Sequence, residues 1–353
     1  MTLPSEPIGS IPRPLALQLA MEASAAGQIP QAELEARLDD AVRDTLQRFE
    51  ATGSTVVTDG EQRKPSFATY PVAGLANFVP GGVVIPFRDG HTRQLPQINA
   101  GPFRYATKAS AYLDAARPYT TAQLKQAVIS ASLISLMYPS AGVPGYTREA
   151  FLDDLVSEAA SEIRECLARG AIVQIDFTEA RLSLKLDPTK GLLDTFVDLN
   201  NRVLAQLTED ERSRVGVHTC PGGDRDSTHS ADVPYQELLP TLFRMNVSSF
   251  YIELAGEADR PSVLRMLGEH ATAGRRIFVG VTDPINPRIE TPAEVCDRVL
   301  EAARFINPAY LGTTDDCGFS PFGDDTSTSR DTAFAKIAAR VEGTAMASKE
   351  LGG

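Results

Sequence analysis

Residues 215–224 read VGVHTCPGGD, which places His218 and Cys220 two positions apart at the end of an apolar run, with a Pro-Gly-Gly turn directly after them. In a strand, alternate side chains project from the same face, so the two would stand about 7 Å apart at Cα and aim together. That arrangement suits two ligands of one soft metal ion. A buried histidine beside a small apolar cysteine looks the same in sequence, so the pair needs further ligands before it means metal. With four histidines and four cysteines in 353 residues, the search for them is short.

The elements that would carry such ligands alternate regularly. Amphipathic helical periodicity covers 33–51, 147–169, 189–209, 234–245, 258–273, 291–304 and 328–347. Between these lie short β-branched runs: STVVTDGE, QAVISASLISLMY, AIVQIDFTE, RVGVHTC, SSFYIELAG, RRIFVGVTD and AYLGTTDD, with EPIGSIP as a first. Eight strands alternating with helices predict an α/β fold, a (β/α)8 TIM barrel, with residues 1–353 as one catalytic domain. A doubly wound open sheet is the alternative. Residues 70–105, rich in Gly and Pro turns between short extended runs, break the alternation and predict an inserted hairpin or arm over one barrel mouth. His91, inside that segment, reads as a solvated turn histidine.

The strand ends are polar where the strand middles are not. They carry Asp59 and Glu61, Asp176 and Glu179, His218 and Cys220, Glu253, Asp283, and Asp315, Asp316 and Cys317. In a barrel all C-terminal strand ends converge on the face that carries the active site. Zinc takes four ligands from Cys, His and carboxylate, and His218, Cys220, Glu253 and Cys317 supply such a set from three strand ends. Cys166 and Cys296 lie inside amphipathic helices and read as core residues. A structural zinc or an accidental cluster of buried polar groups remains the alternative. Structural sites, however, usually employ local Cys hooks that staple small domains, and ligands dispersed over the active face favour a catalytic metal.

Composition narrows the partners. The chain is 42% hydrophobic and 23% charged, enough apolar material for a large core. A net charge of −12 argues against nucleic-acid or anionic-membrane binding and favours a small-molecule partner. No apolar stretch approaches 18 residues, and the start MTLPSEPIGSIPRP has neither the basic nor the apolar region of a signal peptide. These features predict a cytoplasmic protein whose scattered cysteines stay reduced.

Taken together, IGSIPRP, DGEQ, IVQIDFTEARL, VHTC, YIELAG, TDPINPRIETPAEV and TTDDCGF resemble the catalytic zinc barrel of the cobalamin-independent methionine synthase family, from Ile8 to about Gly343. The resemblance implies Zn2+ on His218, Cys220, Glu253 and Cys317, and methyl transfer to the thiol of homocysteine to form methionine. It assigns the homocysteine carboxylate to the turn at Ile8, Gly9 and Ser10, and the ammonium group to Glu61 and Asp176. The chemistry is coherent: a thiol of pKa near 8.5 is only about 3% ionised at pH 7, and binding to zinc delivers it as thiolate.

Two departures concern the donor. Full-length members carry an additional N-terminal barrel that helps bind polyglutamylated folate, and this chain has room for the catalytic barrel alone. The family's D-I-H-S-P-R, whose histidine is proposed to relay a proton to the leaving group, is here Asp283-Pro284-Ile285-Asn286-Pro287-Arg288. Methyltetrahydrofolate would then need its proton from Asp283, Asp315 or water, whereas a methylated corrinoid such as methylcobalamin, or a corrinoid protein, would need none. Two other readings stay open. A thiol alkyltransferase of the same superfamily, similar to the epoxyalkane:coenzyme M transferases, would want basic groups for a sulfonate where this chain has paired acids. A noncatalytic zinc-binding barrel is the reading outside enzymology.

Overall fold

In the computed structural model, which describes residues 2–352, seven parallel strands form one curled sheet. They are β1 (Val56–Val57), β2 (Gln123–Ile129), β3 (Ile172–Asp176), β4 (Val215–Thr219), β5 (Ser249–Ile252), β6 (Arg276–Thr282) and β7 (Leu311–Asp315). Each pairs with its neighbours in chain order, with none of the order reversal of a doubly wound sheet. The chain is therefore an α/β protein with a half-barrel sheet of the TIM-like kind. All five β4 residues are buried, as are six of the seven in β6, because helices cover one face and side chains fill the other.

The helices are α1 (Leu15–Ala25), α2 (Gln31–Ala51), α3 (Ser110–Ala116), α4 (Ala131–Ser135), α5 (Arg148–Ala168), α6 (Glu179–Leu186), α7 (Gly191–Leu204), α8 (Glu209–Arg212), α9 (Tyr235–Leu242), α10 (Arg260–His270), α11 (Pro292–Ala302) and α12 (Arg330–Gly352). Local chemistry sets several starts. Thr147 accepts the Ala150 N–H ahead of α5, and Thr291 forms a reciprocal capping box with Glu294, with Pro292 at the first position of α11. Cys166 and Cys296 are buried on the inner faces of α5 and α11, within the core, as their spacing predicts.

Three expectations change. The run QAVISASLISLMY is strand only to Ile129: the Ser130 hydroxyl accepts the Leu133 N–H, which turns the chain into α4. EPIGSIP, the expected first strand, is not a sheet strand. Prolines 4, 7 and 12 lack the N–H groups a ladder needs. What remains is a strap: Glu6 donates to the Thr313 carbonyl (2.9 Å), Thr313 to that of Pro4 (3.0 Å), and Ile11 to that of Gly60 (3.0 Å). It thus binds β7 at one sheet edge and the turn after β1 at the other. Helices α1, α3 and α6 lie outside the stretches whose periodicity was read as helical, being short or apolar on most sides.

Between β1 and β2, Phe78–Val79 pairs antiparallel with Gln97–Ile98, and Val84–Pro86 with Thr92–Gln94, a nested hairpin. Its tip docks on residues 227–228: Arg88 donates to the Thr228 carbonyl and Asp89 to the Ser227 hydroxyl. His91 is no solvated turn residue. Its ring stacks on Phe87 and bridges Asp89 (2.6 Å) and the buried Asp224 (3.0 Å).

The strap is also held from outside the sheet. Arg340 of α12 donates to the Ser5 hydroxyl at 2.9 Å and ion-pairs with Asp315 at 3.0 Å, both side chains being buried. Arg340→Met is expected to strand the Asp315 carboxylate and cost about 3–5 kcal/mol in urea unfolding. A loss under 1 kcal/mol would show the pair to be dispensable.

Candidate active site

Alternation along β4 sends Gly216, His218 and then Cys220 to the sheet interior and Val215 and Val217 to the helices. Gly216 leaves space there: a Cβ would sit 2.6 Å from the Tyr251 ring. Tyr251 stacks on Phe278 and packs with Ile8, so these three form an apolar floor beneath the strand ends. Above it, the ligand atoms of His218, Cys220 and Cys317 all lie within 4.8 Å of one another. The two sulfurs are 3.1 Å apart and both thiols are free.

His218 Nδ1 meets the Tyr251 carbonyl at 3.2 Å, which directs the proton to Nδ1 and leaves Nε2 buried with no partner. Between the two cysteines, the shared hydrogen bond pushes Cys220 up and Cys317 down. Two sulfurs and an unpartnered imidazole nitrogen in a buried pocket are a donor set for a soft metal such as zinc.

Glu253 stands apart from this trio. Its Oε2 accepts from Arg181 at 2.7 Å, and Arg181 also binds Glu257 and the Val233 carbonyl while lying over the Tyr235 ring. The loop that carries Glu253 is fixed by Asp316, which accepts the N–H groups of Leu254, Ala255 and Gly256 at 2.7–2.8 Å. Burial next to Asp316 pushes the Glu253 carboxyl well up. Gly280 makes room for Asp316, since a Cβ there would lie 1.8 Å from its Oδ1. Gly280→Ala should displace that carboxylate and cost about 1–3 kcal/mol of stability by thermal or urea unfolding.

A cavity of about 260 Å³ opens beside the trio. Ile8, Gly9, Ser10, Glu61 and Asp176 all line it, together with His218 and Cys317. The Ser10 hydroxyl accepts the Ser320 N–H, and its carbonyl that of Phe319, which ties the strap to the loop after Cys317. Glu61 adopts the left-handed φ of 57°, held by its N–H to Asp59. Its Oε1 accepts from Lys64 at 2.7 Å, and Lys64, fully buried, also donates to the Ala127 carbonyl. Sequence reasoning missed this internal cation. Asp176 accepts from Gln174 at 2.7 Å, and burial raises its carboxyl to about 6.

The two acids expected to supply a proton are not on the cavity wall. Asp315 faces the helices, because β7 directs Leu311, Thr313 and Asp315 outward. Thr313 touches Thr344 of α12 and Asp315 holds Arg340, so the acid expected as a proton source stands on the helix side. Asp283 accepts the Ile285 N–H within its own turn. Ile285 itself approaches Gly223, 3.1 Å from where a Cβ would stand.

Other wall residues carried no recognised signal. Ile85, Phe87, Arg93 and Leu95 come from the nested hairpin, and His229 from the loop after β4. Arg93 is pinned between Asp224 and Asp324, which fastens the hairpin to the loops after β4 and β7. His229 hydrogen-bonds Ser230 at 2.7 Å, and burial lowers it to about 4.

Residues 3–340 match the family model described as the catalytic domain of cobalamin-independent synthase. Methionine synthase of Sulfurisphaera tokodaii is 26% identical over 99% of this chain and 94% of its own length, and that of Pyrococcus abyssi 22% identical with the same coverage. Among solved structures, a B12-independent methionine synthase from Shewanella sp. W3-18-1, in complex with selenomethionine, superposes with a TM-score of 0.78, at 22% identity and 99% coverage of both chains. No helix among the described residues is long and apolar enough to cross a membrane. A match spanning the strap, the His218 and Cys220 pair of β4 and the Cys317 loop leads to one conclusion: the chain belongs to the cobalamin-independent methionine synthase family and is a methyltransferase.

Proposed function

We propose that the protein transfers a methyl group to the thiol of homocysteine, with a zinc ion held by His218, Cys220 and Cys317 and with Glu253 as the fourth ligand that the family resemblance implies. One observation carries the reading: a single cavity is lined both by the soft donors His218 and Cys317 and by the polar set Ser10, Glu61 and Asp176. A molecule with a thiol at one end and an amino-acid head at the other fits that polarity. When bound, zinc supplies the thiolate that a free thiol provides only to about 3% at pH 7.

The chain's own residues do the rest. Gly9 and Ser10 receive the carboxylate at the strap. Asp176 and Glu61 receive the ammonium group, Lys64 holding the Glu61 carboxylate in place. The apolar hairpin side chains Ile85, Phe87 and Leu95 exclude water from the methyl path. In this reading the strap closes the sheet as an eighth stave, the hairpin is the arm over the mouth, and the chain is one catalytic domain working in the cytosol.

A sulfonate thiol finds no free cation here among the described residues, because Lys64 is committed to Glu61 and Ala127, and Arg93 to two aspartates. Nothing in the site or its relatives supports a corrinoid donor, and methyltetrahydrofolate is the donor to try first. The test is methionine formation from homocysteine by the purified zinc-loaded protein, with methyltetrahydrofolate carrying one or three glutamates, methylcobalamin and a methylsulfonium salt. No methionine with any donor would overturn the reading.

A further inference from the structure

We propose that Glu179 is the acid that protonates the departing nitrogen of an N-methylated donor, the task for which the position of Ile285 offers no proton. The proposal rests on the methyl-transfer reading above. When a thiolate takes a methyl group from a tertiary amine, the S–C bond forms as the C–N bond breaks. The C–N electron pair stays on nitrogen and needs a proton in or near the transition state.

Most groups around the cavity cannot supply it. Asp315 is tied to Arg340 on the helix side, and Asp283 and Ile285 are off the cavity wall. Glu61 is ion-paired with Lys64. His229, lowered to about 4 by burial, is a neutral imidazole at pH 7. Asp176 is allotted to the substrate ammonium group.

Glu179 differs from all of these. It is the first residue of α6, 1% exposed, and it lines the cavity next to Leu133 and Leu182. Its Oε1 accepts from the hydroxyls of Ser130, at 2.6 Å, and Ser132, and Asn200 donates in turn to Ser132 at 2.7 Å. Its Oε2 is buried and has no hydrogen-bond partner, which is where an acid proton would reside. The charged group facing it is Asp176, an acid; its bonded partners are hydroxyls and not cations. Burial, helped by Asp176, raises the carboxyl to about 7, against the lowering by both serines.

A carboxyl raised in that way keeps a protonated form within reach at neutral pH and can be re-formed after each turnover. In the step itself the Oε2 proton passes to the departing nitrogen. Glu179 is left as a carboxylate whose charge the two serine hydroxyls stabilise, and water restores the proton once product leaves.

The experiment compares zinc-loaded wild-type protein with Glu179→Gln, which keeps size and an acceptor for the serines, and with Glu179→Asp. Zinc content, circular dichroism and homocysteine affinity are measured alongside turnover. With methyltetrahydrofolate, Glu179→Gln should lower kcat about 10²- to 10³-fold while homocysteine affinity and zinc content stay within about twofold, and Glu179→Asp should recover part of the rate. A kcat within about threefold of wild type would overturn the proposal. So would a loss that falls on homocysteine affinity, which would make Glu179 part of the ammonium subsite. Wild-type turnover only with a sulfonium donor, whose sulfide leaves without a proton, would overturn it while sparing the function proposed above. Wild-type failure with every donor would remove both.

Discussion

Cys220→Ala and Cys317→Ala should each reduce zinc from about one ion per chain to a small fraction of that, whereas Cys166→Ala and Cys296→Ala should keep it. The physical basis is the donor count. The cluster contains two sulfurs and one imidazole nitrogen within 4.8 Å, so losing either sulfur removes a third of it and the charge that binds the cation. Loss of an outer-shell partner costs a metal site roughly 10- to 100-fold in affinity, and loss of a thiolate ligand should cost more. Cys166 and Cys296 lie in the helix layer, far from the strand ends in their packing, and their removal trims only core methylene-sized volume. Metal analysis of the four purified variants decides the matter, and equal zinc in all four would dismiss the cluster as a zinc site. Glu253→Gln belongs in the same series. Because Glu253 is held by Arg181, its removal is expected to weaken zinc less than the loss of either cysteine.

The second large effect concerns the amino-acid head. Asp176→Asn keeps the acceptor for Gln174 but removes the charge facing the cavity, so it should weaken homocysteine about ten- to a hundredfold, or roughly 1.5–3 kcal/mol. A simple alkyl thiol, which has no ammonium group, should bind as before, and zinc should be retained. Cobalt(II) substitution gives the readout, since thiol binding alters the thiolate charge-transfer band and can be titrated for both thiols. Equal weakening of the two would place Asp176 in the support of His218, its strand neighbour, and not in substrate binding.

Much of this site could be read locally. His218 and Cys220 share a face because a strand has a period of two, and that period holds whatever surrounds the strand. The same parity, applied to β7, would have placed Asp315 with Leu311 and Thr313 against the helices and Asp316 inside. The residues needed for that placement are adjacent in the sequence. Ser130 shows the opposite case: an apolar run that looks like continuous strand is ended by one hydroxyl capturing an N–H, a competition that periodicity does not register.

By itself the sequence determined the alternation that makes a parallel α/β sheet, the convergence of polar strand ends, and the pairing of His218 with Cys220, because each depends on residues within one or two turns of chain. Only the tertiary structure decided who neutralises whom. Lys64 reaches Glu61 through a left-handed backbone and a carbonyl from β2, Arg181 crosses from α6 to pair with Glu253, and Asp224 on the β4 loop secures His91 and Arg93 of the hairpin. Apart from Lys64 and Glu61, which are three positions apart, those side-chain partners are 72 to 133 positions apart, and a buried charge must be matched by whatever group the fold brings within about 3 Å, so such a partner becomes visible only when distant strand ends meet.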